Sequence, residues 1–159
     1  MALVAQSSDA AVARGVATRP GGAVLRIEGA GRVASEERAP ARRTILVIED
    51  SEPIRRILGL LLEGHGYEVV AVEAGREGLD AAQRLQPCAI SLDLSLPDVD
   101  GREVLRALQA DPRTQAIPVI VVSAYASTLS PAERASAAEV LSKPFDVDEL
   151  LSGVARVVS

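Results

Sequence analysis

Four apolar runs of this sequence end at side chains that can do chemistry. The residues at these ends are, in chain order, Glu49 and Asp50, Asp93, Ser123 and Lys143. Three carboxylates in one place form a hard, oxygen-rich site, which suits Mg²⁺ better than metals that prefer sulfur or imidazole. A lysine and a hydroxyl beside them would hold the non-bridging oxygens of a phosphoryl group. In that setting Asp93 is a candidate nucleophile that could form an acyl phosphate.

These side chains can meet only if the runs are parallel strands of one sheet. Apolar and β-branched runs predict strands at 44–48, 67–72, 88–93, 117–123 and 139–142. Apolar residues at three- and four-residue spacing predict helices at about 54–62, 76–86, 102–110, 131–138 and 146–157. Five strands alternating with five helices indicate a parallel sheet covered on both faces. The carboxyl ends of such strands share one edge, where ligands collect.

Composition and charge argue against nucleic-acid binding and exclude an intrachain disulfide. Residues 1–43 hold seven Arg against four acids, giving +3, whereas residues 44–159 hold ten basic residues against eighteen acids, giving −8. An acidic domain is unsuited to nonspecific nucleic-acid binding. The aromatic content of 2% also disfavours stacking platforms for single strands. Cys88 is the only cysteine, so an intrachain disulfide is excluded, and its apolar run indicates a core residue.

The first 43 residues differ from the rest of the chain. They are rich in Ala, Gly and Arg, and they predict a disordered extension, with a short basic docking tail as the alternative. No apolar run approaches the length of about 18 residues that a membrane span needs. The N-terminus also lacks the continuous apolar region of a secretory signal. We therefore expect a cytoplasmic protein with no membrane association.

The four motifs together resemble the receiver domain of two-component response regulators. The matching pieces are Ile48-Glu49-Asp50, the stretch from Asp93 to Gly101, Ser123-Ala124 and Lys143-Pro144-Phe145. Their spacings of 43, 30 and 20 residues fit the family, the last being slightly short. The resemblance covers about residues 43–158. It implies a receiver domain at 44–159 with a flavodoxin-like, doubly wound, five-stranded parallel sheet in the order 2-1-3-4-5 and five helices.

The resemblance implies a role for each residue at the sheet edge. Asp93 would accept a phosphoryl group from the phosphohistidine of a histidine kinase or phosphotransfer protein. Asp50, Asp93 and the backbone carbonyl of Ser95 would bind Mg²⁺ directly, while Glu49 would act mainly through water. Lys143 would pair with a phosphoryl oxygen. The expected chemistry is self-phosphorylation and self-dephosphorylation rather than enzymatic turnover of an external substrate.

The face that should transmit phosphorylation departs from the family pattern. The resemblance implies that the Ser123 hydroxyl swings to the phosphoryl group, and that a partner reads the fourth helix, fifth strand and fifth helix. The family usually carries an aromatic switch residue where Val140 stands and often a glycine where Ser136 stands, and the segment from Ser123 to Lys143 is about two residues short. Tyr125 is either a substitute aromatic or a plain loop residue.

Two other functions compete with the phosphoacceptor switch. The departures at Val140 and in the fourth helix favour a docking module that works without phosphorylation. A hydrolase with an aspartyl-phosphate intermediate would usually need a second acid two residues after Asp93, where Ser95 stands. No output domain follows the last helix before Ser159, so we expect a stand-alone receiver that signals through protein partners.

Overall fold

A computed structural model describes residues 43–159 of the chain. The predicted disordered extension therefore lies, apart from Arg43, outside the described residues. The strands are Thr44–Ile48 (β1), Glu68–Val72 (β2), Ala89–Leu92 (β3), Val119–Ser123 (β4) and Glu139–Ser142 (β5). The helices are Glu52–Gly64 (α1), Gly75–Leu85 (α2), Gly101–Ala110 (α3), Pro131–Ser136 (α4) and Val147–Val157 (α5). Within residues 43–159, no helix is both long and apolar enough to cross a membrane.

The five strands form one parallel sheet in the order β2-β1-β3-β4-β5, which confirms the predicted topology. The chain moves from β1 to one side for β2 and then crosses to the other side for β3. Ile48, the last residue of β1, lies beside Leu92, the last residue of β3. In open α/β sheets such a reversal opens a crevice beyond the carboxyl ends of the strands beside it, here β1 and β3, and ligands bind there.

Alternate residues of the central strands face two separate apolar cores. Leu46 and Ile48 pack with apolar side chains of α2 and α3, whereas Ile45 and Val47 pack with those of α1 and α5. All four side chains are almost completely buried. The unbroken apolar run of β1 therefore follows from burial on both faces of the sheet. The cores consist mainly of Ile, Leu, Val and Ala, as the low aromatic content indicates.

Helix α4 is shorter than the sequence predicts. It ends at Ser136, because Ala137 already has extended backbone angles (φ −88°, ψ 143°). The N–H of Ala138 then donates a 2.8 Å hydrogen bond to the carbonyl of Val119, so the pairing with β4 begins before β5 itself. A short 3-10 turn, Ala126–Thr128, precedes the helix and has no counterpart in the sequence prediction.

Polar contacts rather than core burial hold α4 on the domain, because none of its residues is buried. The Ser130 hydroxyl accepts from the N–H of Glu133, and the Glu133 carboxylate accepts from the N–H of Ser130, which forms a capping box. The Arg106 guanidinium of α3 lies 2.9 Å from the same carboxylate. The N–H of Ser130 and then Arg106 lower the pKa of Glu133 to about 2.

We expect the stabilisation from Glu133 to disappear in acid. An ordinary glutamate has a pKa of about 4.3. A depressed folded-state pKa adds stability above that value and loses it as the pH falls towards about 2. Glu133→Gln should therefore be less stable than wild type at pH 7, and the difference should shrink between about pH 4.5 and pH 2. Urea unfolding followed by circular dichroism measures both proteins at each pH.

The matched control for this prediction is Glu63→Gln. Glu63 is exposed on α1, and its carboxylate has no hydrogen bond or ion pair within the part of the chain that the structure describes. This variant should follow the wild type at each pH. A gap between Glu133→Gln and wild type that stays constant down to pH 2 would show that the carboxylate charge is not what holds α4.

Candidate functional site

Three carboxylates lie at the carboxyl ends of the neighbouring strands β1 and β3. Glu49 directly follows β1 and Asp93 directly follows β3, and both are buried, with 2% and 4% of their surface exposed. Backbone hydrogen bonds hold both residues, since the N–H of Asp93 donates to the carbonyl oxygen of Ile48 and the N–H of Glu49 donates to that of Val72. Asp50 is exposed. One oxygen of each carboxylate lies within 4.8 Å of one oxygen of the others, so the structure brings the three acids together.

Lys143, directly after β5, places its ammonium group between the two buried carboxylates. Its Nζ lies 2.7 Å from an Oε of Glu49 and 3.2 Å from an Oδ of Asp93. The N–H of Lys143 also donates to the carbonyl of Ser123, which fixes the end of β5 against β4. Lys143 is the only lysine in the sequence, since the other sixteen basic residues are Arg. A residue type that occurs once in the chain, directly after a predicted strand, is a sequence signal for a functional role.

The charges of the site favour the binding of a cation in addition to the ammonium group of Lys143. Burial raises the pKa of Glu49, and the neighbouring charge of Asp93 raises it further, while the hydrogen bond from Lys143 lowers it. The N–H of Ser51 donates to the other oxygen of Glu49 at 3.1 Å. Lys143 pairs with two of the three acids, so the cluster keeps an excess of negative charge, which attracts a divalent ion. Carboxylate oxygens are the donors that Mg²⁺ prefers, so these residues fit that ion.

The loop after Asp93 is anchored at both of its ends. The N–H of Ser95 donates to an Oδ of Asp93 at 3.2 Å, and the N–H of Gly101 donates to the carbonyl of Leu94 at 2.9 Å. The metal-binding role of the Ser95 carbonyl stays a prediction. Gly101 is a residue whose role the sequence did not reveal. A Cβ at this position would lie 2.3 Å from the carbonyl oxygen of Asp93 and 2.5 Å from the Cα of Leu94.

Asp98 ties the middle of this loop to α2. Its carboxylate accepts from the N–H groups of Gly75 and Arg76, at 2.8 and 2.9 Å. The bond from Arg76 and then that from Gly75 hold the pKa of Asp98 below its usual range. The sequence marked Asp98 only as a loop residue, because no local pattern indicates which distant helix it contacts. Its contact holds the loop that carries Asp93 against the rest of the domain.

The residues expected to transmit phosphorylation lie in different environments. Ser123 is completely buried, and its hydroxyl accepts a 3.2 Å hydrogen bond from the N–H of Tyr125. The Tyr125 side chain is 55% exposed, on the loop that leads to α4. Val140 is partly buried and packs against the core formed with α2 and α3. The aromatic residue that could replace the usual switch residue is therefore exposed, whereas the valine at the usual switch position packs against the core.

The whole domain matches a family model. Residues 45–155 match the model of the response regulator receiver domain. The chain is 39% identical over 112 residues to the DNA-binding dual master transcriptional regulator RpaA of Synechocystis sp., and 44% identical over 108 residues to the KDP operon transcriptional regulatory protein KdpE of Escherichia coli. These matches cover 69% and 67% of this chain. They cover 46% and 47% of the two relatives, so the chain spans about half of their length.

A solved structure supports the same assignment. The response regulator protein TrrA from Thermotoga maritima, whose crystal structure contains a Mg²⁺–BeF complex, superposes with a TM-score of 0.66 and 29% identity. The match covers 72% of this chain and 98% of TrrA. The predicted resemblance is confirmed: the chain belongs to the response regulator receiver domain family.

Proposed function

We propose that this protein is a phosphoacceptor switch in which Asp93 accepts a phosphoryl group from a phosphohistidine. The observation that carries this proposal is the pairing of the buried Asp93 carboxylate with Lys143, beside Glu49 and Asp50. A carboxylate buried only to support a fold would be costly, because removing a charge from water is unfavourable. Its burial beside a single ammonium and two further acids is better explained by chemistry at Asp93.

The transfer itself is a substitution at phosphorus. An Oδ of Asp93 forms the new P–O bond while the P–N bond to the imidazole of the donor breaks, and the imidazole keeps the electron pair and takes up a proton. The product is an acyl phosphate on Asp93. Glu49, Asp50 and Asp93 would hold Mg²⁺, which neutralises charge on the phosphoryl oxygens when it is bound. Lys143, already 3.2 Å from Asp93, is placed to hold another of these oxygens.

The segment that follows Ser123 would transmit the phosphorylation of Asp93 to a partner. When the phosphoryl group is present, the Ser123 hydroxyl can exchange its bond from the N–H of Tyr125 for one to a phosphoryl oxygen. That exchange would shift the loop before α4, a helix without a buried residue. We propose a protein partner on the face of α4, β5 and α5, in the cytoplasm, rather than a nucleic acid. The net charge of −8 over residues 44–159 supports that choice.

A phosphoramidate donor tests the proposal, because it carries the same P–N bond as phosphohistidine. With Mg²⁺ present, the protein should gain one phosphoryl group that is stable to acid and labile to base. Uptake should cease when the metal is removed with EDTA. Transfer from a histidine kinase or phosphotransfer protein with labelled phosphohistidine then tests the donor class directly.

The second candidate is a docking module that binds its partner without phosphorylation. Two observations favour it: Val140 stands where the family usually has an aromatic residue, and α4 is only six residues long. A pull-down of partners with and without phosphodonor separates the two functions. Equal capture under both conditions, from a protein that takes up no phosphoryl group, would establish the docking module.

A further inference from the structure

Arg55 of α1 reaches back to the backbone of the loop that carries the acids. One guanidinium nitrogen, Nη1, donates to the carbonyl oxygen of Glu49 at 2.8 Å and to that of Asp50 at 3.1 Å. The other terminal nitrogen lies 3.7 Å from a carboxylate oxygen of Glu73, after β2. The Arg55 side chain is 20% exposed, whereas that of its neighbour Arg56 is 76% exposed. Arg55 is thus directed inward, under the loop.

The two carbonyls that Arg55 binds belong to the peptide groups on either side of the Asp50 Cα. Fixing both peptide planes fixes the backbone dihedrals at Asp50, since these two angles are the only soft ones at a residue. The direction of the Asp50 Cα–Cβ bond follows from those angles. Asp50 needs such support, because its carboxylate is the exposed member of the acidic cluster, while Glu49 and Asp93 are held by burial and Lys143.

We propose that Arg55 is a positioning residue, which holds Asp50 in the orientation that binds Mg²⁺. It touches neither the metal nor the phosphoryl group and acts through the loop backbone. Groups that orient metal ligands commonly change metal affinity by about 10- to 100-fold when they are removed. The inference rests on the proposed Mg²⁺ site, but it concerns metal affinity alone and needs no phosphoryl transfer.

A positioning role and a purely electrostatic role of Arg55 predict opposite changes in Mg²⁺ affinity when Arg55 is replaced. Arg55 is a cation near three carboxylates, so the loss of its charge alone would strengthen the binding of Mg²⁺. The loss of its two backbone hydrogen bonds would weaken the binding, because the Asp50 carboxylate would no longer be held in place. The sign of the change in Mg²⁺ affinity therefore distinguishes the positioning role from a bystander charge.

Because the chain has a single lysine, Mg²⁺ binding can be followed through one NMR signal. Protein labelled with ¹⁵N-lysine has one backbone amide signal, that of Lys143, beside the acidic cluster. Titration with Mg²⁺ should shift this signal and give the dissociation constant. We expect Arg55→Gln to weaken Mg²⁺ binding about tenfold. Arg56→Gln removes the same charge from the next residue, whose nearest acid is Glu52 at 3.8 Å, and should bind Mg²⁺ at least as tightly as wild type.

Two further variants keep the test decisive. Arg55→Lys retains the charge but not the planar guanidinium, so it should fold and still bind Mg²⁺ more weakly than wild type. Glu73→Gln removes the ion pair of Arg55 without touching its bonds to the loop, and should leave the affinity unchanged. Mg²⁺ binding by Arg55→Gln as tight as in wild type would overturn the inference alone. A wild-type protein that does not respond to Mg²⁺ would overturn both the inference and the proposed metal site.

Discussion

Lys143→Ala should slow the phosphorylation of Asp93 about 100-fold, the usual cost of removing one preorganised charge from a transition state. The structure gives Lys143 two partners, Glu49 at 2.7 Å and Asp93 at 3.2 Å, and no other lysine exists in the chain to replace it. The rate of uptake from a phosphoramidate at saturating Mg²⁺ measures the effect. Saturating metal separates a slower transfer from a weaker metal site.

The same substitution should destabilise the metal-free protein. Alanine leaves two buried carboxylates without their common cation. We expect the free energy of unfolding to fall by about 2–3 kcal/mol. This value is at the low end for a broken buried ion pair, because the Lys143 side chain is 14% exposed. Adding Glu49→Gln to Lys143→Ala should recover part of this loss, since it removes one of the two charges. Urea unfolding at pH 7 with EDTA measures all three proteins. A Lys143→Ala protein with wild-type stability and rate would contradict the assignment of Lys143.

Gly101→Ala should damage both stability and phosphorylation. The new Cβ would meet backbone atoms of Asp93 and Leu94 at 2.3 and 2.5 Å, and backbone cannot move aside as a flexible side chain can. We expect a loss of about 1–3 kcal/mol from overpacking. A shift of the Asp93 backbone should also slow uptake, because a displacement of about 1 Å can cost about 100-fold in rate.

Gly59→Ala is the matched control for that prediction. Gly59 lies inside α1, and an added Cβ there would meet no atom within 4 Å. Alanine should stabilise this helix by about 0.5–1 kcal/mol and leave the uptake rate unchanged. If Gly101→Ala behaved like Gly59→Ala in both measurements, the close approach of α3 to the Asp93 loop would not matter for the site.

The sheet could be predicted from the sequence because its signals are local. A strand such as β1, apolar from Ile45 to Ile48, can be stable only when both of its faces are covered, and helices with the right spacing follow it. The strand order came from the family resemblance. The acids and Lys143 could be placed at one edge because all strands run in the same direction.

The features that the sequence missed depend on contacts between distant residues. Helix α4 ends early because Ala138 pairs with Val119 of β4, and no local propensity encodes that pairing. The bond of Arg55 to the acidic loop and the close approach of Gly101 to Asp93 arise only when helices pack at the sheet edge. An arginine on an amphipathic helix and a glycine after a turn have ordinary local explanations, so their contribution to the site requires the fold.

We expect Asp93 to be the nucleophile of a Mg²⁺-dependent site. Treating the protein with a small phosphodonor and Mg²⁺, and locating the added phosphoryl group by mass spectrometry of peptides, tests this directly. We predict one phosphoryl group, on Asp93, absent from Asp93→Asn and from samples treated with EDTA. Phosphorylation of any other residue at the same level, or equal labelling of Asp93→Asn, would contradict the account.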